Sequence, residues 1–165
     1  MPDWSQISAV MMVCHGNICR SPMAECVLSH LLNEAGVNGI AVASSATSAE
    51  ELGNPIHPGA QAELRQHGIP IRSHRAVQLR REDLAGYDLF LGMDSRNLIN
   101  MQRILGEESR SRCFRLLDFT DRARDIADPW YSGDFQETWD DILEGCQAIA
   151  AALRQANTFS NHRNR

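Results

Sequence analysis

The sequence predicts an α/β fold, in which an open sheet of four parallel strands forms the middle of three layers and helices cover both faces. Apolar segments of strand length are nearly continuous, as in strands buried on both faces, and they alternate with segments of helical periodicity. The 165 residues, 43% of them hydrophobic, are enough for one domain with its own core. We therefore expect a single domain over residues 1–157 and a polar, disordered C-terminal tail over 158–165.

The first strand and helix are joined by a short polar loop. Residues 7–13 form an apolar run of strand length, and the Gly and Asn in residues 14–20 are typical of a loop. Ser21 then suits the N-cap of a helix, and Pro22 suits its first turn, where a missing N–H costs nothing. Apolar residues recur at helical spacing from there until Gly36, which ends the helix.

The rest of the chain repeats this alternation. Gly68 ends the second predicted helix, and the last helix has Trp139, Ile142, Cys146 and Ile149 on one face. The further strands are predicted at residues 40–44, 87–93 and 113–117, and the further helices at residues 58–67, 95–105 and 134–154.

Composition excludes several kinds of chemistry. All sixteen basic residues are arginine, so there is no lysine for a Schiff base, a pyridoxal phosphate anchor or a nucleotide-binding loop. A net charge of -5 argues against binding nucleic acid or an anionic membrane surface, and no segment is long enough for membrane insertion. Five cysteines, an odd number without zinc-type spacing, fit a reducing compartment. We expect a cytoplasmic protein without a metal site.

The loop between the first strand and helix carries the chemistry. Ligands of open parallel sheets bind at the carboxyl ends of the strands, and this loop runs from such an end into a helix N-terminus. Its backbone N–H groups can converge on an anion, Gly16 and Asn17 allow a tight curl, and Arg20 can add a bidentate pair. Helix N-termini and nearby arginines favour the thiolate form of cysteine, so we expect Cys14 to be a nucleophile.

The spacing of Cys14 and Arg20 suits phosphoryl transfer. Six residues can wrap around one tetrahedral anion, with the sulfur beneath its central atom and the guanidinium on its equatorial oxygens. Asp128 is a candidate acid for the leaving oxygen, although Asp-Pro is also a common turn. The adjacent Trp130 and Tyr131 offer aromatic surface for a flat substrate ring.

Two motifs of the chain resemble the low-molecular-weight protein tyrosine phosphatases. They are Cys-His-Gly-Asn-Ile-Cys-Arg-Ser-Pro at residues 14–22 and Asp-Pro-Trp-Tyr at residues 128–131. The resemblance extends from about residue 9 to residue 153. It implies a four-stranded parallel sheet, no cofactor and hydrolysis of phosphotyrosine in two steps. In these steps Cys14 attacks phosphorus, Arg20 holds the phosphoryl oxygens and Asp128 serves as acid and then as base. The substrate would be a phosphotyrosine-containing protein or a small aryl phosphate, and we expect a monomer.

Further residues match the family individually. Ser21 matches the hydroxyl that bonds the thiolate, and Asn17, Ser44 and His74 match a network that braces the loop, although His74 could also be a histidine at the surface or the rim of the core. Cys19 matches a cysteine that forms a reversible disulfide with the nucleophile in many members, or else it is a small buried filler. The resemblance thus makes His15, Gly16, Asn17, Ile18, Cys19 and Ser21 the phosphate-binding loop.

Two positions in the predicted site depart from the family pattern. His15 stands where the family usually has an apolar residue, and it is either a titratable neighbour of the nucleophile or an outward-facing loop residue. Glu50 stands where many members have an aromatic wall of the cleft, and it either weakens binding of the ring and disfavours acidic peptides or is an exposed, solvated carboxylate.

Three alternative functions use a similar loop. Phosphoarginine phosphatases typically have Thr where this chain has Ile18, which favours an aryl phosphate here. Thioredoxin-coupled arsenate reductases need a relay of further cysteines, and Cys113 and Cys146 are not closely paired as such a relay requires. A non-hydrolytic phosphoryl carrier, such as a sugar-transport IIB domain, needs no general acid, so Asp128 discriminates against it.

Overall fold

The computed structural model describes residues 1–163, without the side chains of Ser160 and His162. Its strands are β1 (Ala9–Cys14), β2 (Ala41–Ala46), β3 (Leu89–Gly92) and β4 (Cys113–Arg115). Its α-helices are α1 (Arg20–Glu34), α2 (Pro58–Gln66), α3 (Ser95–Leu105), α4 (Pro129–Ser132) and α5 (Phe135–Arg163). Short 3-10 turns occupy Trp4–Gln6, Arg81–Ala85, Glu107–Arg112 and Leu116–Phe119. In this described part of the chain no helix is both long and apolar enough to cross a membrane.

The four strands form one parallel sheet in the order β2-β1-β3-β4, which confirms the predicted three-layer α/β architecture. The chain passes from β1 to β2 on one side and later returns to place β3 on the other side of β1. This reversal is the position where open α/β sheets form a ligand crevice. The loops that follow β1 and β3 therefore border the same crevice.

Side chains along β1 alternate between two cores. Val10, Met12 and Cys14 belong to the larger core, which also includes residues of α1, α2 and α5. Met11 and Val13 belong to the smaller core, which includes residues of α3. This period of two is the ordinary alternation of a strand, and it directs the side chain of Cys14 to the face that carries α1.

Gly92 allows α3 to lie close to the end of β3. A Cβ atom at this position would stand 2.8 Å from the sulfur of Met101, closer than real Cβ atoms approach, and 3.1 Å from the Cβ of Asn97, which is tighter than most Cβ contacts. The glycine therefore permits a close approach of helix and strand. As a result, α3 starts immediately beyond the strand, with Asp94 as its N-cap.

The predicted N-cap of α1 is wrong. Cys19 is the N-cap, and Ser21 is the second residue of the helix with its hydroxyl bonded inward. The chain already has helical geometry at Arg20, so the serine hydroxyl lies beyond the position from which it could cap the first turn.

The closing helix is longer than predicted. It continues through the polar segment from 155 to Arg163, because that segment contains no Gly or Pro to end it. The expected disorder of the tail is therefore wrong as far as Arg163, and residues 164–165 lie outside the described residues. The fourth strand is shorter than predicted, since Leu116 and Leu117 form a 3-10 turn.

Candidate active site

The sulfur of Cys14 lies at the base of the loop between β1 and α1. It accepts a hydrogen bond from the backbone N–H of Asn17 at 3.3 Å, and it lies 3.0 Å from the hydroxyl oxygen of Ser21. The Ser21 hydroxyl already accepts a hydrogen bond from the Asn17 side chain, so its own hydrogen can be donated to the sulfur. Both donors favour a negatively charged sulfur.

The loop presents free backbone donors around this sulfur. Within residues 1–163, no protein acceptor lies within hydrogen-bond distance of the backbone N–H groups of His15, Gly16, Ile18 and Cys19. Such a ring of N–H groups at a helix N-terminus is a favourable site for an anion, because the peptide dipoles point their positive ends toward it. The sequence predicts an anion site at this loop, and these N–H groups are the donors that would bind the anion.

Asn17 braces the loop from behind. It is fully buried, and its φ of 59° places it in the left-handed region, which Asn tolerates better than most residues. Its Nδ2 donates to the hydroxyls of Ser21 at 2.8 Å and Ser44 at 2.9 Å, and its Oδ1 accepts from the backbone N–H of Val77. His74 Nε2 lies 2.6 Å from the Asn17 carbonyl and must carry the hydrogen, because a carbonyl only accepts.

Arg20 is almost completely buried and is held by acceptors on two other loops. Its Nη1 donates to Asp94 Oδ2 at 2.7 Å and to the carbonyl of Ile126 at 2.9 Å, and its Nη2 lies 3.4 Å from Asp128 Oδ2. Burial by itself would lower the pKa of Arg20, but the nearby sulfur of Cys14 and the carboxylate of Asp94 raise it above its usual value. The guanidinium is therefore a fixed cation beside the loop.

One edge of this guanidinium remains open. In the part of the chain that the structure describes, the Nε hydrogen and the second Nη2 hydrogen of Arg20 meet no acceptor. These two donors form the parallel fork that binds two oxygens of a phosphate. The Asp94 and Ile126 contacts occupy Nη1 and leave Nε free, whereas Asp128 lies near one hydrogen of Nη2.

Asp128 lines the same cleft and is the N-cap of α4. Its Oδ1 accepts from the backbone N–H of Trp130 at 3.0 Å, while its Oδ2 is the oxygen near Arg20. The preceding carbonyl, that of Ala127, accepts from the buried hydroxyl of Thr138 on α5 at 3.1 Å. The carboxyl group is thus carried by a short segment that both the loop arginine and α5 hold in place.

The cleft above the loop has a volume of about 100 Å³. Trp130 and Tyr131 form part of its wall and are largely exposed, so apolar aromatic surface is available to a ligand. The cleft is lined by Cys14, His15, Gly16, Ile18, Cys19, Arg20, Glu50, Glu51, Asp128, Trp130 and Tyr131.

The two departures from the family pattern lie side by side at the rim of this cleft. His15 Nε2 and Glu50 Oε2 are 3.0 Å apart, and their side chains are 42% and 68% exposed. Each residue is therefore both solvent-accessible and part of the cleft wall. The carboxylate stands beside the imidazole and not beside the Cys14 sulfur.

The five cysteines are all buried free thiols. Burial raises the pKa of Cys19 to about 12, and the neighbouring sulfur of Cys14 adds to this shift. Cys113 lies in the smaller core beneath α3, and Cys146 lies on α5 with its sulfur toward the carbonyl of Ala24. The structure therefore does not join Cys113 and Cys146 to the loop as a relay of thiols.

Two carboxylates that contact the site, Asp94 and Glu25, are not among the residues predicted from the sequence. Asp94 stands two residues beyond the end of β3 and caps α3, so an acidic residue just past the carboxyl end of the strand next to β1 is a usable signal. Glu25 accepts a hydrogen bond from Ser44. Nothing local in the sequence distinguishes it from any other acidic residue on a helix.

Comparison with known proteins places the chain in a family. A family model described as low molecular weight phosphotyrosine protein phosphatase matches residues 9–158. The low molecular weight protein-tyrosine-phosphatase YfkJ of Bacillus subtilis is 36% identical over 150 residues, which cover 89% of this chain and 96% of the relative. The crystal structure of YfkJ matches with a TM-score of 0.86 at 34% identity, over 91% of this chain and 96% of that one.

Two further solved structures agree. SP-PTP, a low molecular weight protein tyrosine phosphatase from Streptococcus pyogenes, has a TM-score of 0.80 at 34% identity, over 89% of this chain and 93% of its own. Vibrio vulnificus Wzb in complex with benzylphosphonate has a TM-score of 0.78 at 29% identity, over 88% of this chain and 98% of its own. The chain therefore belongs to the low molecular weight protein tyrosine phosphatase family.

Proposed function

We propose that this phosphatase hydrolyses phosphotyrosine monoesters, in proteins or as small aryl phosphates, through a phosphocysteine intermediate on Cys14. The observation that carries the proposal is the placement of the Cys14 sulfur beneath a ring of backbone N–H groups that have no partner among the described residues, in a cleft that Asp128 also lines. A phosphoryl group bound by the ring would have a nucleophile on one side and a proton donor on the other, which is the in-line geometry of phosphoryl transfer.

In the first step the Cys14 thiolate attacks phosphorus, and the bond between phosphorus and the aryl oxygen breaks. The departing oxygen keeps the electron pair of that bond and takes a proton from the carboxyl group of Asp128, leaving as a neutral phenol. The open Nε–Nη2 fork of Arg20 binds two of the three equatorial oxygens, and the loop N–H groups bind the charge that develops there.

In the second step water hydrolyses the phosphocysteine. The water oxygen attacks phosphorus while the Asp128 carboxylate accepts one of its protons, and the bond between sulfur and phosphorus breaks. The electron pair returns to sulfur, which restores the Cys14 thiolate. The net reaction converts an aryl phosphate and water into a phenol and inorganic phosphate.

The wall of the cleft supports an aryl substrate. Trp130 and Tyr131 are largely exposed beside Asp128, so a tyrosine ring could pack on them while its oxygen faces the carboxyl group. The Vibrio vulnificus relative binds benzylphosphonate, whose ring and tetrahedral phosphonate resemble those of phosphotyrosine. We also propose a cytoplasmic location, which the five free thiols support, because a reducing compartment keeps thiols unpaired.

The test compares the parent chain with Cys14→Ser on phosphotyrosine, phosphoserine and phosphoarginine peptides, and on arsenate with thioredoxin. We expect turnover of the phosphotyrosine peptide by the parent and none by C14S, which should still bind vanadate in the anion site. Acid quenching during turnover should trap a phosphoryl group on Cys14, detected by mass spectrometry. Turnover by C14S, or a preference for phosphoarginine or arsenate, would overturn the proposal, and a phosphocysteine stable in water would instead indicate a phosphoryl carrier.

A further inference from the structure

His57 lies between the two segments that form the candidate active site and contacts both of them. Its backbone N–H donates to the carbonyl of Ile18, in the loop after β1, at 2.8 Å. Its ring and the ring of Trp130 have centroids 5.9 Å apart, and their planes meet at 83°. Trp130 is the second residue of α4, the short helix whose N-cap is Asp128. At His57, therefore, the phosphate-binding side of the cleft meets the segment that carries the proposed acid.

The ring of His57 is itself fixed by two further contacts. His57 is the N-cap of α2, and its Nδ1 accepts from the backbone N–H of Gly59 at 3.0 Å. The ring also stacks on Phe135, the first residue of α5, with centroids 5.2 Å apart and planes 20° apart. Gly59 leaves room for this stack, since a Cβ atom there would stand 2.5 Å from the ring of Phe135. The imidazole therefore cannot turn without losing the cap or the stack.

Helix α4 has few other contacts with this side of the cleft. Pro129 is its only buried residue, and the rest of the helix is exposed. Within residues 1–163, two polar or ring contacts join α4 and its N-cap to α2 and the loop after β1. One is the pair of Asp128 and Arg20, whose 3.4 Å separation is longer than a normal N–H···O hydrogen bond. The other is the contact of Trp130 with His57.

From this arrangement we propose that His57 is a positioning residue for proton transfer by Asp128. The backbone N–H of Trp130 donates to Asp128 Oδ1 at 3.0 Å, so the indole and the carboxyl group belong to one turn, and the imidazole that packs on the indole fixes both. A misplacement of about 1 Å is enough to slow a reaction strongly. His57 touches neither the substrate nor the reacting atoms. The inference rests on the proposed function in one respect, namely that Asp128 is the general acid.

Two substitutions separate the capping of α2 from the packing on Trp130. His57→Asn keeps the cap, because an amide oxygen can accept from the backbone N–H of Gly59, but it removes the ring. His57→Phe keeps a ring between Trp130 and Phe135 but removes the acceptor. If the ring positions the acid, only H57N should impair proton transfer.

The experiment measures kcat/KM for a series of substituted phenyl phosphates, from the good leaving group p-nitrophenol to unsubstituted phenol. We expect H57N to lose about tenfold on phenyl phosphate and little on p-nitrophenyl phosphate, because only the more basic departing oxygen needs the proton. H57F should keep the leaving-group dependence of the parent, although its thermal unfolding should occur at a lower temperature. An equal loss on all leaving groups in H57N, or the same selective loss in H57F, would overturn the proposal.

The matched control is His67→Asn, at the other end of α2. The ring of His67 stacks on Trp139 of α5 with centroids 4.0 Å apart, and neither residue lines the cleft. H67N therefore removes a histidine ring that packs between the same two helices, without a link to α4. We expect it to keep the leaving-group dependence of the parent. A selective loss on phenyl phosphate in H67N as large as that in H57N would contradict the specific role of His57.

A second variant keeps the test decisive if H57N does not fold. Phe135→Leu removes the ring on which His57 stacks and leaves His57 itself in place, so it should show the same selective loss on phenyl phosphate to a smaller degree. Parental leaving-group dependence in F135L and H57N would remove the basis of the proposal.

The double variant H57N/D128N tests whether the effect passes through Asp128. It should lose no more on phenyl phosphate than D128N alone, because both changes act on one proton transfer, and additive losses would refute that path. If D128N lost equally on all leaving groups, the proposed role of Asp128 as the acid would fail, and the inference with it. If D128N lost selectively while H57N matched the parent, the inference alone would fail.

Discussion

Asp94 and Arg20 are joined across the crevice at the reversal of the sheet, with Asp94 Oδ2 accepting from Arg20 Nη1 at 2.7 Å. The other oxygen of Asp94 accepts from the backbone N–H of Asn97 at 2.7 Å and so caps α3. One carboxylate therefore fixes the start of a helix after β3 and the guanidinium of the loop after β1. The open fork of Arg20 is directed by an element on the neighbouring strand.

Replacing Asp94 by Asn should misdirect Arg20 while keeping α3 capped, because Asn is as good an N-cap as Asp. The lost charged hydrogen bond is worth about 1.5–3 kcal/mol, so we expect kcat/KM for p-nitrophenyl phosphate to fall by about 10- to 100-fold. Asp134→Asn is the control, since Asp134 accepts from the backbone N–H of Glu137 at the start of α5, away from the loop. Equal kinetics for the two variants would contradict this role of Asp94.

Replacing Arg20 by Lys should keep the charge but remove the two-pronged contact with the phosphoryl group. An ammonium group cannot donate to Asp94, to the carbonyl of Ile126 and to two phosphate oxygens in the geometry that the guanidinium has. We expect kcat to fall by about 10²–10³-fold, as when one preorganised donor to a transition state is removed. Arg81→Lys, at an exposed ion pair with Glu108, should leave the steady-state rates unchanged. A near-parental rate for R20K would refute the requirement for a guanidinium.

Replacing Asp128 by Asn should remove the proton donor but keep the cap of α4, because an amide oxygen can still accept from the backbone N–H of Trp130. General acid catalysis is worth about 10²–10⁴-fold for a poor leaving group. We therefore expect a large loss of kcat on phosphotyrosine and a much smaller one on p-nitrophenyl phosphate, whose leaving group needs little protonation. Equal losses on the two substrates would rule out Asp128 as the acid.

The buried thiol of Cys19 should make the fold less stable at alkaline pH. Its pKa is raised from 9.0 to about 12, mainly by burial, so the folded chain keeps this proton more firmly than the unfolded chain does. The free energy of unfolding should therefore be unaffected by this group below about pH 9 and should decrease as the pH rises toward 12.

Urea unfolding at a series of pH values between about 8 and 11 measures this slope in the parent and in Cys19→Ala. The variant should lose stability less steeply, although the pKa values of Cys26, Cys113 and Cys146, which burial also raises, leave some slope in both proteins. Identical slopes would show that Cys19 does not contribute.

Much of the architecture follows from local patterns. The apolar run before Cys14, the Gly-Asn turn and the helical spacing after Pro22 predict one βα unit, and the structure has β1 and α1 there. The predicted bounds of α3 are the observed ones, because Asp94 and Gly106 stand as start and stop signals around it. The end of α5 does not follow from local patterns in this way, because the polarity of the segment predicts disorder although the segment contains no helix breaker.

The sequence by itself determined the family, the loop that holds Cys14 and Arg20, and the segment that carries Asp128, because each is a short motif whose chemistry is readable from adjacent residues. Only the tertiary structure decided how these parts are held. Arg20 meets Asp94 74 positions away, and Ser44 meets Glu25 on another element. These partners come together through the strand order and the packing of α1 on β2, which depend on contacts across the whole core and leave no local signal in the chain.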